Sequence, residues 1–423
     1  MTKQKKKILV IADSPQAPSG VGTQTRYMIE EMLKTGEFSF YCLAGAIKHI
    51  DYRIQKIDPW GDDLIVKPVN GYGDPSIIRA LMRDYKPDAL WFMTDPRFFV
   101  WLWGMENEIR PNVPMIYYHV WDNYPYPKFN KSFYDSNDVI CTISKVTDDI
   151  VRTVSPDVKC VRIPHTVDTD IFRKLNPDEI DEKFRIRKTI AEDNVNKTIF
   201  FWNNRNARRK QPGSLLFWFK EFLDQVGHDS ASLVMHTEPS DPHGQNLVSI
   251  IEELGLTSGQ VSLSTQKMPP EELAKIYASV DCTLNISDAE GFGLGTLESL
   301  ACETPIIVNM TGGLQEQVTD GTNWFGIGIE PSSKAIIGSQ DVPWIYEDRI
   351  SKEDFLSAML KFHNMSLKER QEMGRAGRKH VLDNYSLSQY RDLWYNLFTE
   401  VTEEFGSWDT RKNYTSWKLE EIK

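Results

Sequence analysis

Short apolar runs alternate with longer stretches of helical period along most of this chain, and that rhythm restricts the fold more than any single motif. "KILVIA" precedes "VGTQTRYMIEEMLK", "ALWFMT" precedes "FFVWLWGMENEI", and "MIYYHVW" is followed by "DVICTIS", which leads into "KVTDDIVRTV". The pattern restarts with "TIFFWN" and "GSLLFWFKEFLDQV". "SLVMHT", "QVSLST", "CTLNIS" and "PIIVNM" follow, with helical stretches such as "EELAKIYASV" and "LGTLESLACE" among them. Continuous apolar strands joined by amphipathic helices predict parallel sheets covered on both faces. A chain of 423 residues is too long for one ordinary core. Two blocks of this kind predict an α/β protein with two doubly wound, Rossmann-like domains. The expected layout is a first domain over 1–175, a polar linker over 176–196, a second domain over 197–385, and C-terminal helices over 386–423 that cross back to the first domain.

Charge and cysteine usage narrow the class. The formal net charge is −11, and residues 1–174 hold 23 basic and 22 acidic side chains, so the acid excess lies in the second half. A protein that coats nucleic acid shows the opposite balance. The five cysteines at 42, 141, 160, 282 and 302 have no metal-ligand spacing and sit mostly in apolar runs, as buried thiols of a reducing compartment do. The basic start "MTKQKKKILVIAD" leads straight into a strand, with an apolar stretch too short for a signal peptide. "ALWFMTDPRFFVWLWGM" is broken by Asp95, Pro96 and Arg97 and cannot span a bilayer. The expectation is a cytoplasmic protein without integral membrane contact.

Three segments carry candidate chemistry. In "IADSPQAPSGVGTQTR", Gly20 and Gly22 lie between a strand and a helix, where backbone can approach an anion. A tight turn with no ligand explains them equally well, and Thr25 stands where a dinucleotide site needs a third glycine. In "WNNRNARRKQPGS", Arg205 and Lys210 flank Arg208 and Arg209 in a loop after a strand, which suits a diphosphate or a solvated basic turn. In "DAEGFGLGTLESLACETP", Glu290 and Glu298 are separated by seven residues that include three glycines. The turn Gly291–Phe292–Gly293 delivers the chain to a helix starting near Leu294, so the amides of Gly293, Leu294 and Gly295 face an anion. Carboxylates before and inside that helix can accept hydrogen bonds from hydroxyls on either side of a bound diphosphate.

With these segments in view, the chain resembles the retaining glycosyltransferases of GT-B fold, family 4. "SDAEGFGLGTLESLACETPII" is similar to their E-x7-E signature, "RNARRK" to their Arg and Lys diphosphate pair, "IPHTVDTDIF" to their interdomain segment, and "SGVGTQTR" to their N-terminal glycine loop. The likeness runs from about residue 7 to residue 400. It implies two Rossmann-like domains facing across a cleft and a hexosyl- or pentosyltransferase that uses a nucleotide-diphosphate sugar, UDP-sugar first. It assigns the donor-sugar hydroxyls to Glu290, the ribose to Glu298, the diphosphate to Arg205 and Lys210, and a place against the donor sugar to His119. "STQKMPP", with Lys267 and Met268, would lie along the nucleobase. Glu303 stands where the family has glycine and Asn204 replaces the glycine before Arg205, while residues 331–350 are a long connection to which no role attaches.

The same resemblance implies retention of anomeric configuration without an enzyme nucleophile, no cofactor and no metal. The string Asp168–Thr169–Asp170 fits a metal-binding motif of the other major glycosyltransferase fold but falls in the interdomain segment. For the acceptor, "HVWDNYPYPKFNKSFY" offers Trp121, Tyr124, Tyr126 and Phe129 for stacking and Lys128 and Lys131 for phosphate. A glycan or small molecule ranks first, with a lipid carrier or a hydroxylated DNA base as alternatives. A nucleotide-sugar epimerase and a non-catalytic nucleotide-sugar binder are the other function classes.

Overall fold

The computed structural model describes residues 5–191, 194 and 196–416; the first residues of the Lys3–Lys7 cluster lie outside this range. The chain divides into one unit built from Met1–Thr166 with Leu387–Lys423 and a second built from Val167–Ser386.

The first unit is an eight-stranded sheet. Its strands are β1 (Lys6–Asp13), β2 (Phe38–Gly45), β3 (Gln55–Ile57), β4 (Gly61–Pro68), β5 (Ala89–Met93), β6 (Met115–His119), β7 (Val139–Thr142) and β8 (Lys159–Arg162). They lie in the order β3-β4-β2-β1-β5-β6-β7-β8, and only β3 runs antiparallel to its neighbour. The central strands are buried along almost their whole length, which is why they read as unbroken apolar runs rather than alternating ones. The C-terminal helix Leu387–Phe405 belongs to this unit and buries Tyr390, Trp394, Leu397, Phe398 and Val401. Phe398 packs 5.7 Å from Phe38, and Trp394 meets Trp91 edge-on at 5.8 Å. The stretch after β5 forms no single helix: it breaks into Val100–Trp103 and Glu106–Ile109, with Gly104 closing the first.

The second unit carries six parallel strands, β9 (Thr198–Asn203), β10 (Ala231–His236), β11 (Val261–Ser264), β12 (Cys282–Asn285), β13 (Ile306–Asn309) and β14 (Gly326–Ile329). Their order is β11-β10-β9-β12-β13-β14. Phe200, Trp202, Leu215, Phe219, Phe222 and Phe355 lie in one core under the helices Pro212–Val226 and Lys352–His363. The polar stretch after residue 176 is ordered in this unit: a short turn at Pro177–Glu179 leads into the helix Ile180–Ala191. Residues 331–350 form an antiparallel hairpin, β15 (Ser333–Ile337) with β16 (Ile345–Arg349). Among the described residues no helix is long and apolar enough to cross a membrane.

Candidate functional site

The strand order of the second sheet reverses between β9 and β12. Crossovers leave β9 toward β10 on one side and β12 toward β13 on the other, so the loops after β9 and β12 diverge and open a crevice at the carboxyl ends of the strands. In doubly wound sheets this is where ligands bind. The first loop carries Arg205, Arg208, Arg209 and Lys210, and the second carries Asp288 to Gly293.

Lys210 and Glu290 meet across this gap. The Lys210 ammonium donates to the Glu290 carboxylate, and both side chains are nearly buried. Asn285 Nδ2, at the end of β12, adds a 3.4 Å contact to the same oxygen. Burial works to raise the Glu290 carboxyl, but the Lys210 charge beside it, with Arg209 and these hydrogen bonds, outweighs that and holds it below the usual glutamate range. The Glu290 carboxyl is therefore ionised at neutral pH.

The helix Leu294–Ala301 starts beside Glu290. Gly293 sits at its N-cap with φ 91°, and no side-chain hydrogen bond caps the helix start. The amides of Leu294 and Gly295 come before the first intrahelical bond, Leu297 N to Gly293 O at 3.2 Å. A side chain at Gly293 would meet Leu314 at 2.5 Å, and one at Gly312 (φ 48°) would stand 1.9 Å from the Glu290 carbonyl oxygen. Gln317 Nε2 donates to the Phe292 and Gly293 carbonyls at 2.7 and 3.1 Å and fixes the turn from behind. This geometry concentrates donors and positive charge at one place, as anion-binding helix starts do.

Glu298 lies one turn into the helix. Desolvation among buried groups pushes its carboxyl up to about 7, opposed by a hydrogen bond with the Tyr277 hydroxyl. Tyr277 is fully buried and its oxygen also accepts from Asn203 Nδ2 at 2.8 Å. Glu303, past the end of this helix, adopts φ 62°, the left-handed conformation that explains a preference for glycine there.

Arg205 takes a different position from Lys210. Its guanidinium is mostly exposed, donates to the Asp241 carboxylate at 2.7 and 3.2 Å, and approaches His243 Nδ1 at 2.8 Å. Lys267 is exposed, and Met268 lines a cavity of 390 Å³ with Ile186, Ile190, Ser264 and Ile276. Sequence reasoning passed over Asp288, Glu347 and Arg349. Arg349 bridges Glu347 (2.9 Å) and Asp288 (3.0 Å), and burial moves the Asp288 carboxyl up to about 6. Asp288 lay within the quoted glycine segment. Glu347 and Arg349 lay in the connection over 331–350, whose length was their only signal.

In the first unit, Ser19 caps the helix Gly20–Lys34 by accepting from Gly22 N at 3.0 Å, and its hydroxyl donates to Asp13 at 2.6 Å. Gly22 has no room for a side chain: a Cβ would lie 2.6 Å from the Ala17 carbonyl. His119, at the end of β6, is fully buried. Its Nε2 lies 2.7 Å from the Tyr134 hydroxyl, its Nδ1 has no partner, and burial lowers its pKa to about 3, so the ring is neutral. Trp121 is buried and donates to the Asn123 carbonyl at 2.7 Å, the Tyr124 and Tyr126 hydroxyls converge on Asp149, and Lys128 is exposed. Among the described residues no group of three or more His, Cys, Asp or Glu side chains is arranged to hold a metal ion.

The two doubly wound, largely parallel sheets and the switch-point site define the GT-B class of fold. The structure superimposes on sucrose-phosphate synthase from Thermosynechococcus elongatus with a TM-score of 0.73 and 15% identity, covering 95% of this chain and 100% of that one. It also matches the Anabaena Alr3699/HepE protein solved with UDP-glucose at a TM-score of 0.67 and 14% identity, over 93% of this chain and 99% of that one. Residues 182–380 match the model for glycosyl transferases group 1. A D-inositol 3-phosphate glycosyltransferase of Corynebacterium jeikeium is 34% identical over 135 residues, 31% of this chain and 32% of the relative. One of Segniliparus rotundus is 34% identical over 158 residues, 37% of this chain and 33% of the relative. The chain thus matches about a third of the length of these curated relatives.

Proposed function

We propose that the protein transfers a sugar from a nucleoside-diphosphate sugar, a UDP-sugar first, to a hydroxyl acceptor, with retention of configuration and without a metal. The observation that carries this reading is the Lys210–Glu290 pair set beside the uncapped start of the helix Leu294–Ala301. Together they offer cation, amides and carboxylate to a sugar diphosphate. UDP-glucose in the Alr3699/HepE structure and UDP-2-fluoro glucose in an E. coli structure of similar fold support the choice of donor.

In the reaction the bond from the anomeric carbon to the diphosphate oxygen breaks, and a bond from that carbon to the acceptor oxygen forms on the same face. The acceptor proton passes to the departing phosphate. Lys210, Arg205 and the amides of Leu294 and Gly295 stabilise the charge that grows on the diphosphate. Glu290 accepts from donor-sugar hydroxyls, Glu298 accepts from the ribose, and the backbone near Lys267 and Met268 borders the base. Gly20 and Gly22 are assigned to donor binding, the neutral His119 to the donor sugar, and Trp121, Tyr124 and Lys128 to the acceptor.

The test is a thermal-shift panel of UDP-, GDP- and ADP-sugars, followed by mass spectrometry with acceptors that include glycans and a phosphorylated polyol such as the relatives' inositol 3-phosphate. Stabilisation by one donor series and a product heavier by one sugar are expected. Conversion of the free donor without transfer, or binding without any turnover, would refute the transferase reading. Undiminished transfer in EDTA is expected, and its loss would refute metal independence.

A further inference from the structure

The hairpin over 331–350 is wired into the site at its base and free at its far end. Ile336 and Trp344 are 69% and 42% exposed, whereas Glu347 is 2% exposed. Three consecutive residues of β16 reach three different segments. Glu347 takes both terminal nitrogens of Arg208, at 2.8 and 2.5 Å. Asp348 accepts from the Thr311 hydroxyl at 2.7 Å and, through its carbonyl, from Asn309 Nδ2 at 2.9 Å. Arg349 reaches Asp288, which also accepts from Gln211 Nε2 at 2.6 Å. The Asp288 amide in turn donates to the Arg209 carbonyl at 2.8 Å, and the Arg209 guanidinium donates to the Ala289 carbonyl. The turn Arg208–Lys210 and the segment Asp288–Glu290 are thus clamped from one side by a single strand.

We propose that Glu347 is a positioning residue: by holding Arg208 through a two-pronged ion pair, it fixes the turn that places Lys210 against Glu290 for a bound diphosphate. The physical need comes from the turn itself. Three successive cations face two buried carboxylates, Asp288 and Glu290. With Arg208 engaged by Glu347 and the Arg209 guanidinium on the Ala289 carbonyl, Lys210 is the cation that donates to Glu290. Without Glu347, Arg208 is an unpaired charge free to take either carboxylate and pull the turn out of register.

This inference rests on the reading of the site as a nucleoside-diphosphate site. Its test compares affinities for UDP, GDP and ADP with those for uridine, guanosine and adenosine, measured by calorimetry on the full chain. Glu347→Ala is expected to weaken the preferred diphosphate about tenfold, the loss of one well-placed charge-assisted contact. The matching nucleoside should stay within about twofold, and Glu347→Asp should recover part of the loss. Should Glu347→Ala fail to fold, Glu347→Gln, which keeps the side chain's shape and removes its charge, is read with the same expectation. A folded variant that keeps wild-type diphosphate affinity, or loses both ligands equally, overturns the inference. A wild-type chain that binds no nucleoside diphosphate overturns the parent reading and this one with it.

Discussion

Lys210 and Glu290 form a nearly buried ion pair joining the loops that diverge from the switch point of the second sheet. Removing one member leaves the other as an uncompensated charge in a poorly hydrated place. Lys210→Met is therefore expected to destabilise the second unit by about 3 kcal/mol and to lower sugar transfer by about a hundredfold or more. The double variant K210M/E290Q, with no orphaned charge, should regain most of the stability and none of the activity. Denaturant melts and initial rates distinguish the two effects. A double variant that regained activity would show that the pair serves folding alone.

Glu298 provides a pH signature. Its carboxyl is pushed up to about 7 from the ordinary glutamate value of 4.5, so the native state binds a proton that the unfolded chain has released between those two values. The native protein then carries more protons than the unfolded chain, and this group's contribution to stability falls as pH rises from about 4.5 to 7. The ionised form is the better acceptor for ribose hydroxyls. Nucleotide affinity is expected to climb between pH 6 and 8 as stability from this group declines, and Glu298→Gln should flatten both trends. Calorimetry and thermal melts across that range check it. A slope that persists in the variant would place the titrating group elsewhere.

The turn into the helix Leu294–Ala301 was readable in the sequence because its tight path needs glycines, and Gly293 and Gly295 announce it locally. The same holds for the central strands, whose apolar runs are long enough to be unambiguous. Edge elements were harder. The strand Gly61–Pro68 contains Asp62, Asp63 and Lys67 and alternates in burial, so no apolar run marks it. The hairpin over 331–350 is polar at Glu347, Asp348 and Arg349 because those side chains pair with polar or charged groups more than thirty residues away in sequence. Pairing of that kind leaves no periodicity. Spacing put Arg205 and Lys210 in one loop, yet the loop's path turns Arg205 to Asp241 and Lys210 to Glu290.

Gly312 tests how tightly the Glu290 backbone is held. Its φ is 48°, and a Cβ would fall 1.9 Å from the Glu290 carbonyl oxygen, while the neighbouring Gly313 amide donates to that oxygen at 3.1 Å. The conformational term alone costs about 1–2 kcal/mol for Gly312→Ala, and the clash adds to it. Because the displaced atom belongs to Glu290, transfer should fall by more than the stability loss explains when rates are measured well below the melting transition. Gly321→Ala, also at positive φ but in open space, is the control and should show only the conformational cost. Equal rates in the two variants would argue that Glu290 needs no such restraint.

Arg205 is held by Asp241 and His243, and under the proposed function a diphosphate draws it away from them. The pair is solvent-exposed on the arginine side, so its loss costs little stability. Arg205→Ala is expected to leave the melting temperature nearly unchanged while lowering turnover about a hundredfold, as removal of one leaving-group cation does. Asp241→Asn works in the opposite sense. It releases Arg205, so diphosphate affinity should hold or rise, most visibly at low salt where the competing carboxylate acts most strongly. Measuring both variants in parallel is decisive, because a site in which Arg205 serves only to tie down the loop after β10 would lose stability in both and nucleotide affinity in neither.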